Sequence, residues 1–344
     1  MSARFLTVVL ERAFNMRDGF GREIDYMRIS VIDSCNLNCY YCNPCDNNEH
    51  CHALNILSVK EVLCIVRAAT RLGIKHFRLT GGEPLLHPQL DEMVLQIKKI
   101  PGVSSVSLTT NAVLLAQHAK WLKEAGIDSI NVSLDTIDAS EYERITKKPL
   151  LEEVKHGINA AIECGIRVKI NVVLTPQTDV VALTRYVAKK GTDIRFIEMM
   201  PVGEGHTNGV EPYKKVIGTL SKLYGEPCRI NTEKTKEINS GNDKRKIPDN
   251  GPAEYYIFPE LGIRVGLIQA IHGKFCDTCN RIRVTADGRL MPCLGSSVTM
   301  DLVPDSWDFA DDAEKDFSIV RALRAAIKAK PRCHNFNDNA VTYT

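Results

Sequence analysis

The stretch "MRISVIDSCNLNCYYC" (residues 27–42) joins a short apolar run to three closely spaced cysteines, and it decides the fold. Residues 27–32 are rich in β-branched residues, which is typical of a strand. Cys35, Cys39 and Cys42 follow it directly. Parallel α/β folds place their reactive groups at the carboxyl ends of strands. The stretch therefore predicts a first parallel strand followed by a loop of reactive thiols.

The rest of the first two thirds of the chain alternates strand and helix patterns. Strand-like runs lie at 27–32, 75–80, 103–110, 127–134, 166–174 and 192–200, and helical patterns at 58–73, 89–100, 114–126, 151–165 and 179–191. Ser58 and Asp179 are placed to begin two of the helices. Such repeated units predict a parallel sheet, because parallel strands need long crossover connections. Periodicity alone leaves open a doubly wound sheet and an open, incomplete (β/α) barrel.

Polar residues cluster where the predicted strands end. The cysteines follow the first strand, and the later positions are "GGEP" (81–84), "TTN" (109–111), Ser133 and Asp135, Lys169 and Asn171, and Glu198 and Met200. Strand ends are often polar because they meet water, and this explains one or two such positions. It does not explain a polar group at the end of every predicted strand. We therefore expect them to meet at one edge of the sheet.

The alternation of strand and helix patterns ends after about residue 205. We therefore divide the chain into residues 1–205, a partial barrel, and residues 206–344, a second region. Residues 231–250 are charged and lack apolar periodicity, which predicts a mobile loop. Residues 253–258, 263–268, 281–286 and 288–294 are typical of short antiparallel strands, and residues 317–330 of a closing helix.

Composition excludes several classes of protein. The 344 residues carry a net charge of +2, which argues against a protein that coats nucleic acid. No run approaches the roughly 20 apolar residues needed to span a membrane. The apolar run near the start is too short for a secretory signal, and a weak organelle-targeting helix is the alternative to a cytoplasmic location. Twelve cysteines in so long a chain favour metal binding over a disulfide scaffold.

The first cysteine set allows three interpretations. A zinc site needs a fourth ligand, which Cys45, His50, Cys51 or His52 could supply. A disulfide is disfavoured in a reducing compartment. The third interpretation is an iron–sulfur cluster held by Cys35, Cys39 and Cys42, with one iron left open to an outside ligand.

A second set, Cys276, Cys279 and Cys293, allows zinc with His272 or another three-thiolate cluster. Beside it, Arg281 and Arg283 project from the same face of a predicted strand. Two neighbouring guanidiniums are typical of an anion site, with a solvated strand edge as the alternative.

Further cations lie in the predicted strands, namely Arg28, Lys75, Arg78, Lys169 and Arg195. Charges inside a barrel are costly without a partner. Together with the arginine pair, they favour a small substrate that carries several phosphates.

The motif "CNLNCYYC" resembles the CxxxCxxC signature of radical S-adenosylmethionine (radical SAM) enzymes, and "GGEP" after the second strand strengthens the likeness. From about residue 18 to 335 the chain further resembles the GTP 3′,8-cyclase family of molybdenum cofactor biosynthesis. The resemblance rests on "FGREIDYMRISV", "RLTGGEP", "LTTN", "INVSLDT", "VKINVV", "IRFIEMMPVG" and "GLIQAIHGKFCDTCNRIRVTADGRLMPCL".

The resemblance implies an incomplete (β/α)6 TIM-type barrel with a C-terminal extension that carries a second [4Fe–4S] cluster. The first cluster and SAM would generate a 5′-deoxyadenosyl radical that removes the ribose 3′ hydrogen of GTP. The C3′ radical would then attack guanine C8 to give 3′,8-cyclo-7,8-dihydro-GTP. Implied partners are a one-electron reductant and a downstream cyclic pyranopterin monophosphate synthase, with a homodimer as one option and neither nucleic acid nor membrane.

The resemblance also assigns residues. Cys35, Cys39 and Cys42 would hold the first cluster, and Cys276, Cys279 and Cys293 the second. SAM contacts would be Tyr41, Gly81, Gly82, Glu83, Ser133 and Met200. GTP contacts would be Arg28, Arg78, Thr109, Lys169, Arg281, Ile282 and Arg283, of which Arg28, Arg281 and Arg283 would also be catalytic.

Some features depart from the family pattern. The family usually ends in Gly-Gly, whereas this chain ends "NDNAVTYT", and "TTNG" is "TTNA" with Ala112. We expect the tail to lower activity or change the substrate. The alternatives are a related radical SAM enzyme that acts on another nucleotide, metabolite or peptide, and a non-catalytic zinc-stabilised α/β binding protein. The roles of Cys45 and Cys51 are open, and Cys64, Cys164, Cys228 and Cys333 are expected to be buried packing thiols.

Overall fold

The computed structural model describes residues 16–42, 55–202, 204–206, 209–230, 251–302 and 312–336. The strands within these ranges are β1 (Tyr26–Ser30), β2 (His76–Thr80), β3 (Ser105–Thr110), β4 (Ser129–Ser133), β5 (Val168–Val173), β6 (Asp193–Ile197), β7 (Cys228–Arg229), β8 (Glu254–Ile257), β9 (Arg264–Ile268), β10 (Arg281–Val284), β11 (Arg289–Met291) and β12 (Met300–Asp301). The helices are α1 (Val59–Arg71), α2 (Leu90–Lys98), α3 (Leu115–Glu124), α4 (Ala139–Thr146), α5 (Leu151–Glu163), α6 (Val180–Lys189), α7 (Gly218–Tyr224) and α8 (Asp312–Ala329).

These strands form one sheet in the order β12-β11-β10-β1-β2-β3-β4-β5-β6-β9-β8-β7. Strands β1 to β6 are parallel neighbours in chain order, and helices connect them. The edge strands β7 and β12 do not pair with each other, so the sheet is open. The predicted incomplete (β/α) barrel is confirmed, and the doubly wound alternative is wrong.

Two C-terminal strands extend the parallel part of the sheet. Strand β9 pairs parallel with β6, and β10 pairs parallel with β1. The prediction of antiparallel strands at 263–268 and 281–286 is therefore confirmed only in part, because β8 and β11 pair antiparallel with β9 and β10 on one side and β6 and β1 pair parallel on the other. A parallel pair needs a long crossover, and the chain between β6 and β9 includes α7, β7 and β8.

The parallel strands have an apolar outer face and a polar inner face. Outer residues such as Met27, Phe77 and Leu108 belong to the core that packs beneath the helices. The alternate positions carry residues such as Arg28 and Ser107. Closed TIM barrels fill this interior with branched apolar side chains. A polar interior therefore indicates a binding chamber.

The helix starts follow local sequence rules. The Ser58 hydroxyl accepts a hydrogen bond from the Glu61 amide, and the Glu61 carboxylate accepts one from the Ser58 amide at 2.7 Å. The Asp179 carboxylate accepts from the Ala182 amide at 2.9 Å. Both predicted starts are confirmed. Helices α4 and α7 were not predicted, because helices this short give too few turns for a periodic signal.

The predicted closing helix is α8, which begins at Asp312 rather than residue 317 and packs against α1, β11 and β12. No helix in the described ranges is both long and apolar enough to cross a membrane. The predicted loop 231–250, Cys45, His50, Cys51, His52 and the tail 337–344 lie outside the described residues.

Candidate active site

A glycine pair after β2 packs tightly beneath the first cysteine loop. A Cβ on Gly82 would lie 2.2 Å from the Ser34 carbonyl oxygen, and one on Gly81 would lie 2.3 Å from the Ile32 carbonyl oxygen. Only residues without a Cβ allow so close an approach of backbone. The two glycines therefore fix the path of the main chain that leads into Cys35.

Glu83 connects that loop to the end of β3. Its carboxylate is buried and accepts from the Thr110 hydroxyl at 2.6 Å and from the Asn111 amide at 2.7 Å. The Asn111 side chain in turn donates to the Asn36 amide oxygen at 2.7 Å and contacts the Cys35 sulfur at 3.8 Å. Burial raises the pKa of Glu83. Glu83 thus holds Asn111 against the cysteine loop.

Tyr41, in the first cysteine loop, forms a hydrogen-bonded pair with Asp135. The Tyr41 hydroxyl donates to the Asp135 carboxylate at 2.5 Å, and the Val173 amide donates to it at 2.7 Å. Burial raises the pKa of Asp135 to about 6. A small pocket of about 340 Å³ is lined by Tyr41 and Asp135 together with Cys39 and Ser133. The predicted SAM residues Tyr41 and Ser133 therefore lie beside the first thiols.

The first three thiols are free and electrostatically coupled. Burial raises the pKa of Cys35 and Cys42, and it raises that of Cys39 to about 12, with further contributions from Asp135 and the two other thiols. Three neighbouring thiolates repel each other unless a metal centre neutralises them. The set fits an iron–sulfur cluster in donor chemistry, because soft thiolates prefer such centres.

The second cysteine set also comes together. The thiols of Cys279 and Cys293 both act on the pKa of Cys276, which burial raises. Burial also acts to raise the pKa of Cys279, but the cations Arg281 and Lys330 outweigh it and lower the value to about 7. The Arg281 guanidinium contacts the Cys279 sulfur at 3.8 Å. This set therefore lies in a cationic environment, unlike the first.

No three His, Cys, Asp or Glu side chains in the described ranges are arranged to hold a single metal ion. Ligands of one zinc ion converge on a single point, whereas the thiolates of an iron–sulfur cube bind separate iron atoms and stand farther apart. His272, the suggested zinc ligand of the second set, instead pairs through Nδ1 with the buried carboxylate of Glu198.

Three arginines form a row across the inner face of the sheet. Arg283 of β10, Arg28 of β1 and Arg78 of β2 are in register on adjacent strands. Burial lowers the pKa of Arg28, and the neighbouring guanidiniums, Arg283 foremost, lower it further. The Arg28 Nε is buried without a hydrogen-bond partner. Such a row is a ready site for an anion with several oxygens.

A second row contains one donor that sequence reasoning missed, Asn131, between the two predicted residues Thr109 and Lys169. Thr109, Asn131 and Lys169 are in register on β3, β4 and β5. Arg195 donates to the Asn131 side-chain oxygen at 2.5 Å, so the Asn131 Nδ2 faces away from it, fully buried and without a partner. Arg195 also donates to Asn171 at 2.9 Å. Alternation within "INVSL" places Asn131 on the inner face, and this was the available signal.

A larger cleft of about 920 Å³ links the two cysteine regions. Tyr41, Cys42 and Met200 line one part of it, and Leu294, the neighbour of Cys293, lines another. Glu198 also borders this cleft. The first cysteine loop, the end of β6 and the second cysteine segment therefore share one chamber.

Several predicted positions lie elsewhere. Lys75 is at the outer amino end of β2, where its ammonium is 3.7 Å from the Asp25 carboxylate, so it does not belong to the chamber. The Ile282 side chain is fully buried on the opposite face from Arg281 and Arg283, which leaves its main chain for a ligand contact. Ala112 has a left-handed φ of 66°, a conformation that favours glycine.

The expectation for the remaining cysteines is partly wrong. Cys64 is buried and Cys164 half-buried, but Cys228 and Cys333 are exposed. Cys228 lies on the edge strand β7, and Cys333 follows α8 in an irregular segment, and neither place offers apolar cover.

The comparisons with known proteins agree with this geometry. The model of the Radical SAM superfamily matches residues 29–182, and the model of Molybdenum Cofactor Synthesis C matches residues 192–336. The chain is 35% identical over 324 residues to a GTP 3′,8-cyclase of Clostridium perfringens (strain SM101 / Type A), which covers 93% of this chain and 95% of the relative. It is 36% identical over 327 residues to a GTP 3′,8-cyclase of Pelotomaculum thermopropionicum, with the same coverage, 93% and 95%. The chain belongs to the GTP 3′,8-cyclase family. This membership implies SAM and an iron–sulfur cluster as cofactors.

Solved structures share the fold at low sequence identity. Streptococcus suis SuiB bound to its precursor peptide SuiA superposes with a TM-score of 0.59 at 16% identity, and the match covers 94% of this chain and 69% of that chain. Native anSMEcpe with bound AdoMet gives 0.54 at 16% identity, with 92% of each chain covered. These matches therefore show a shared fold.

Proposed function

We propose that the chain is a radical SAM GTP 3′,8-cyclase that carries out the first step of molybdenum cofactor biosynthesis. The observation that carries the proposal is the register of Arg283, Arg28 and Arg78 on the inner face of the open sheet, together with the two cysteine sets that follow β1 and flank β10. A triphosphate neutralises this row, which otherwise concentrates positive charge in a poorly solvated space.

Cys35, Cys39 and Cys42 would hold the first [4Fe–4S] cluster, with Tyr41, Gly81, Gly82, Glu83, Ser133 and Met200 around SAM. When bound, the cluster and SAM supply the 5′-deoxyadenosyl radical that removes the ribose 3′ hydrogen. The role of the chain is to exclude water and hold SAM rigidly, and the Glu83–Asn111 and Tyr41–Asp135 hydrogen bonds serve that rigidity.

Cys276, Cys279 and Cys293 would hold a second [4Fe–4S] cluster, which would supply an iron able to bind the guanine. The guanidiniums of Arg28, Arg78, Arg281 and Arg283, the Lys169 ammonium and Thr109 would orient the nucleotide, with Ile282 contributing main-chain contact. Asn131 adds an amide donor between Thr109 and Lys169. Orienting C3′ against C8 lowers the barrier to ring closure by converting it into a positioned intramolecular step.

The stoichiometry requires outside partners. Cleavage of SAM consumes one electron, and completion of the cyclised nucleotide consumes another electron and a proton. A one-electron reductant is therefore needed, and a downstream synthase would consume the product. A homodimer is compatible with the proposal.

Anaerobic reconstitution with iron and sulfide, followed by SAM, reductant and GTP, tests the function. We expect about eight irons per chain and equal amounts of 5′-deoxyadenosine and 3′,8-cyclo-7,8-dihydro-GTP. Arg283→Leu should abolish the cyclised product while first-cluster iron is retained. Formation of 5′-deoxyadenosine with other nucleotides but not with GTP would contradict the proposal, and so would zinc in place of iron.

A further inference from the structure

The segment that follows α8 contacts the main chain next to two cysteines of the second set. The Lys330 ammonium donates to the Arg281 and Pro292 carbonyl oxygens, each at 2.8 Å. These carbonyls lie two residues after Cys279 and one residue before Cys293. The third cysteine is tied by Arg22, which donates to the Cys276 carbonyl at 2.7 Å.

Arg22 fixes this segment from the other side. Its guanidinium also donates to the Pro331 and Arg332 carbonyl oxygens at 2.6 and 2.9 Å, and Asp18 holds its Nε at 2.5 Å. The Arg22 charge is therefore balanced by a carboxylate. Lys330 differs, because its contacts are carbonyl oxygens and thiols.

Lys330 is a deeply buried cation, with 2% of its surface exposed. Its ammonium contacts the Cys279 thiol and lies close enough to the Cys293 thiol for their charges to interact. An ammonium out of water is costly unless it is paired with a negative charge. Within the part of the chain that the structure describes, the thiols are the groups that can provide this charge.

We infer that Lys330 is a positioning residue that supplies the buried counter-charge of a second iron–sulfur cluster held by Cys276, Cys279 and Cys293. The inference rests on the proposed function, since that cluster belongs to it. Three thiolates outweigh the positive charge of an oxidised four-iron core, so the loaded site is anionic. The reduced site is more negative still, so a fixed cation beside it favours the reduced form and raises the reduction potential.

The test measures iron content and the midpoint potential of the second cluster by redox titration monitored by electron paramagnetic resonance. All proteins carry Cys39→Ala, which removes the first cluster from the spectrum. Lys330→Gln keeps hydrogen-bond donors without charge, and Lys330→Arg keeps the charge. Lys328→Met, an exposed charge removal two residues earlier on α8, is the matched control.

We expect Lys330→Gln to lower the ratio of reduced to oxidised cluster at least tenfold at a fixed potential, which is about 59 mV for a one-electron couple. Lys330→Arg and Lys328→Met should keep the parent potential. Loss of the cluster in Lys330→Gln, with the cluster retained in Lys330→Arg and Lys328→Met, also supports the inference. Cluster binding would then require the positive charge at position 330. A parent-like potential in Lys330→Gln would overturn it, as would loss of the cluster in Lys330→Gln and Lys330→Arg alike. If the Cys39→Ala protein with intact Lys330 binds no second cluster, the proposed second cluster is refuted. That result is distinct from a refutation of the role of Lys330, which requires a cluster that binds and an unchanged potential in Lys330→Gln.

Discussion

Replacement of Gly82 by alanine should dislodge the first cysteine loop. The new Cβ would stand 2.2 Å from the Ser34 oxygen and 2.4 Å from the Asp33 oxygen, and both obstacles are backbone. Relief requires the loop to move by somewhat under 1 Å. That shift strains the hydrogen bonds from the Gly82 amide to Ile32 at 2.8 Å and from the Glu83 amide to Ser34 at 2.7 Å.

The magnitude follows from these contacts. Overpacking a tight contact costs about 1–3 kcal/mol, and each weakened hydrogen bond costs up to about 1 kcal/mol more. We therefore expect Gly82→Ala to lower the free energy of unfolding by about 3 kcal/mol. Because a metal site tolerates displacements of only about 0.5 Å, the variant should also lose first-cluster iron.

Gly218→Ala is the matched control. Its Cβ would meet nothing within 4 Å, and its φ of −61° is helical, so alanine should be neutral or stabilise by up to about 1 kcal/mol. Urea unfolding of the iron-free proteins and iron analysis of the reconstituted ones provide the measurements. If Gly82→Ala unfolds at the same urea concentration as Gly218→Ala and keeps its iron, the close-packing argument is refuted.

Two further predictions follow from the chamber. The pKa of Asp135 rises from 3.8 to about 6 on folding, so the folded state holds its proton longer than the unfolded state. Stability should therefore fall by about 3 kcal/mol as pH rises from 4 to 6, and Asp135→Asn should remove that slope in urea titrations of the iron-free protein; an unchanged slope would contradict the assignment. Asn131→Leu should weaken GTP binding about 10- to 100-fold because a buried acceptor loses its donor, with unchanged SAM affinity as the internal control in equilibrium dialysis; parent-like GTP affinity would exclude the contact.

The sequence predicts the barrel well because its signals are local. The six inner strands alternate apolar and polar residues, and the Ser58 and Asp179 caps act within one turn of their helices. The cysteine spacing likewise needs no tertiary information. The first set lies within eight residues, and its loop follows a strand whose end is unambiguous.

What the sequence does not predict depends on contacts between distant segments. Arg22 reaches carbonyls more than 250 residues away, and Lys330 reaches β10 across 49 positions. Arg22 lies in the stretch "FGREIDYMRISV" and Lys330 ends the predicted helix 317–330, but neither pattern indicates these contacts. The orientation of the Asn131 amide depends on Arg195, 64 residues later. These side chains acquire their roles only after the sheet has formed.

The open sheet explains how the second cysteine set is brought next to the parallel strands. Strands β9 and β10 add to opposite edges of the parallel run, so the segment between them must cross from one edge to the other. Cys276 and Cys279 lie on that crossing. A closed barrel would bring β1 and β6 together and leave the row of Arg283, Arg28 and Arg78 incomplete, with no room for a nucleotide. Opening the barrel therefore creates the chamber and at the same time brings the second thiol set to its boundary, where the cations of β10 and Lys330 balance its charge.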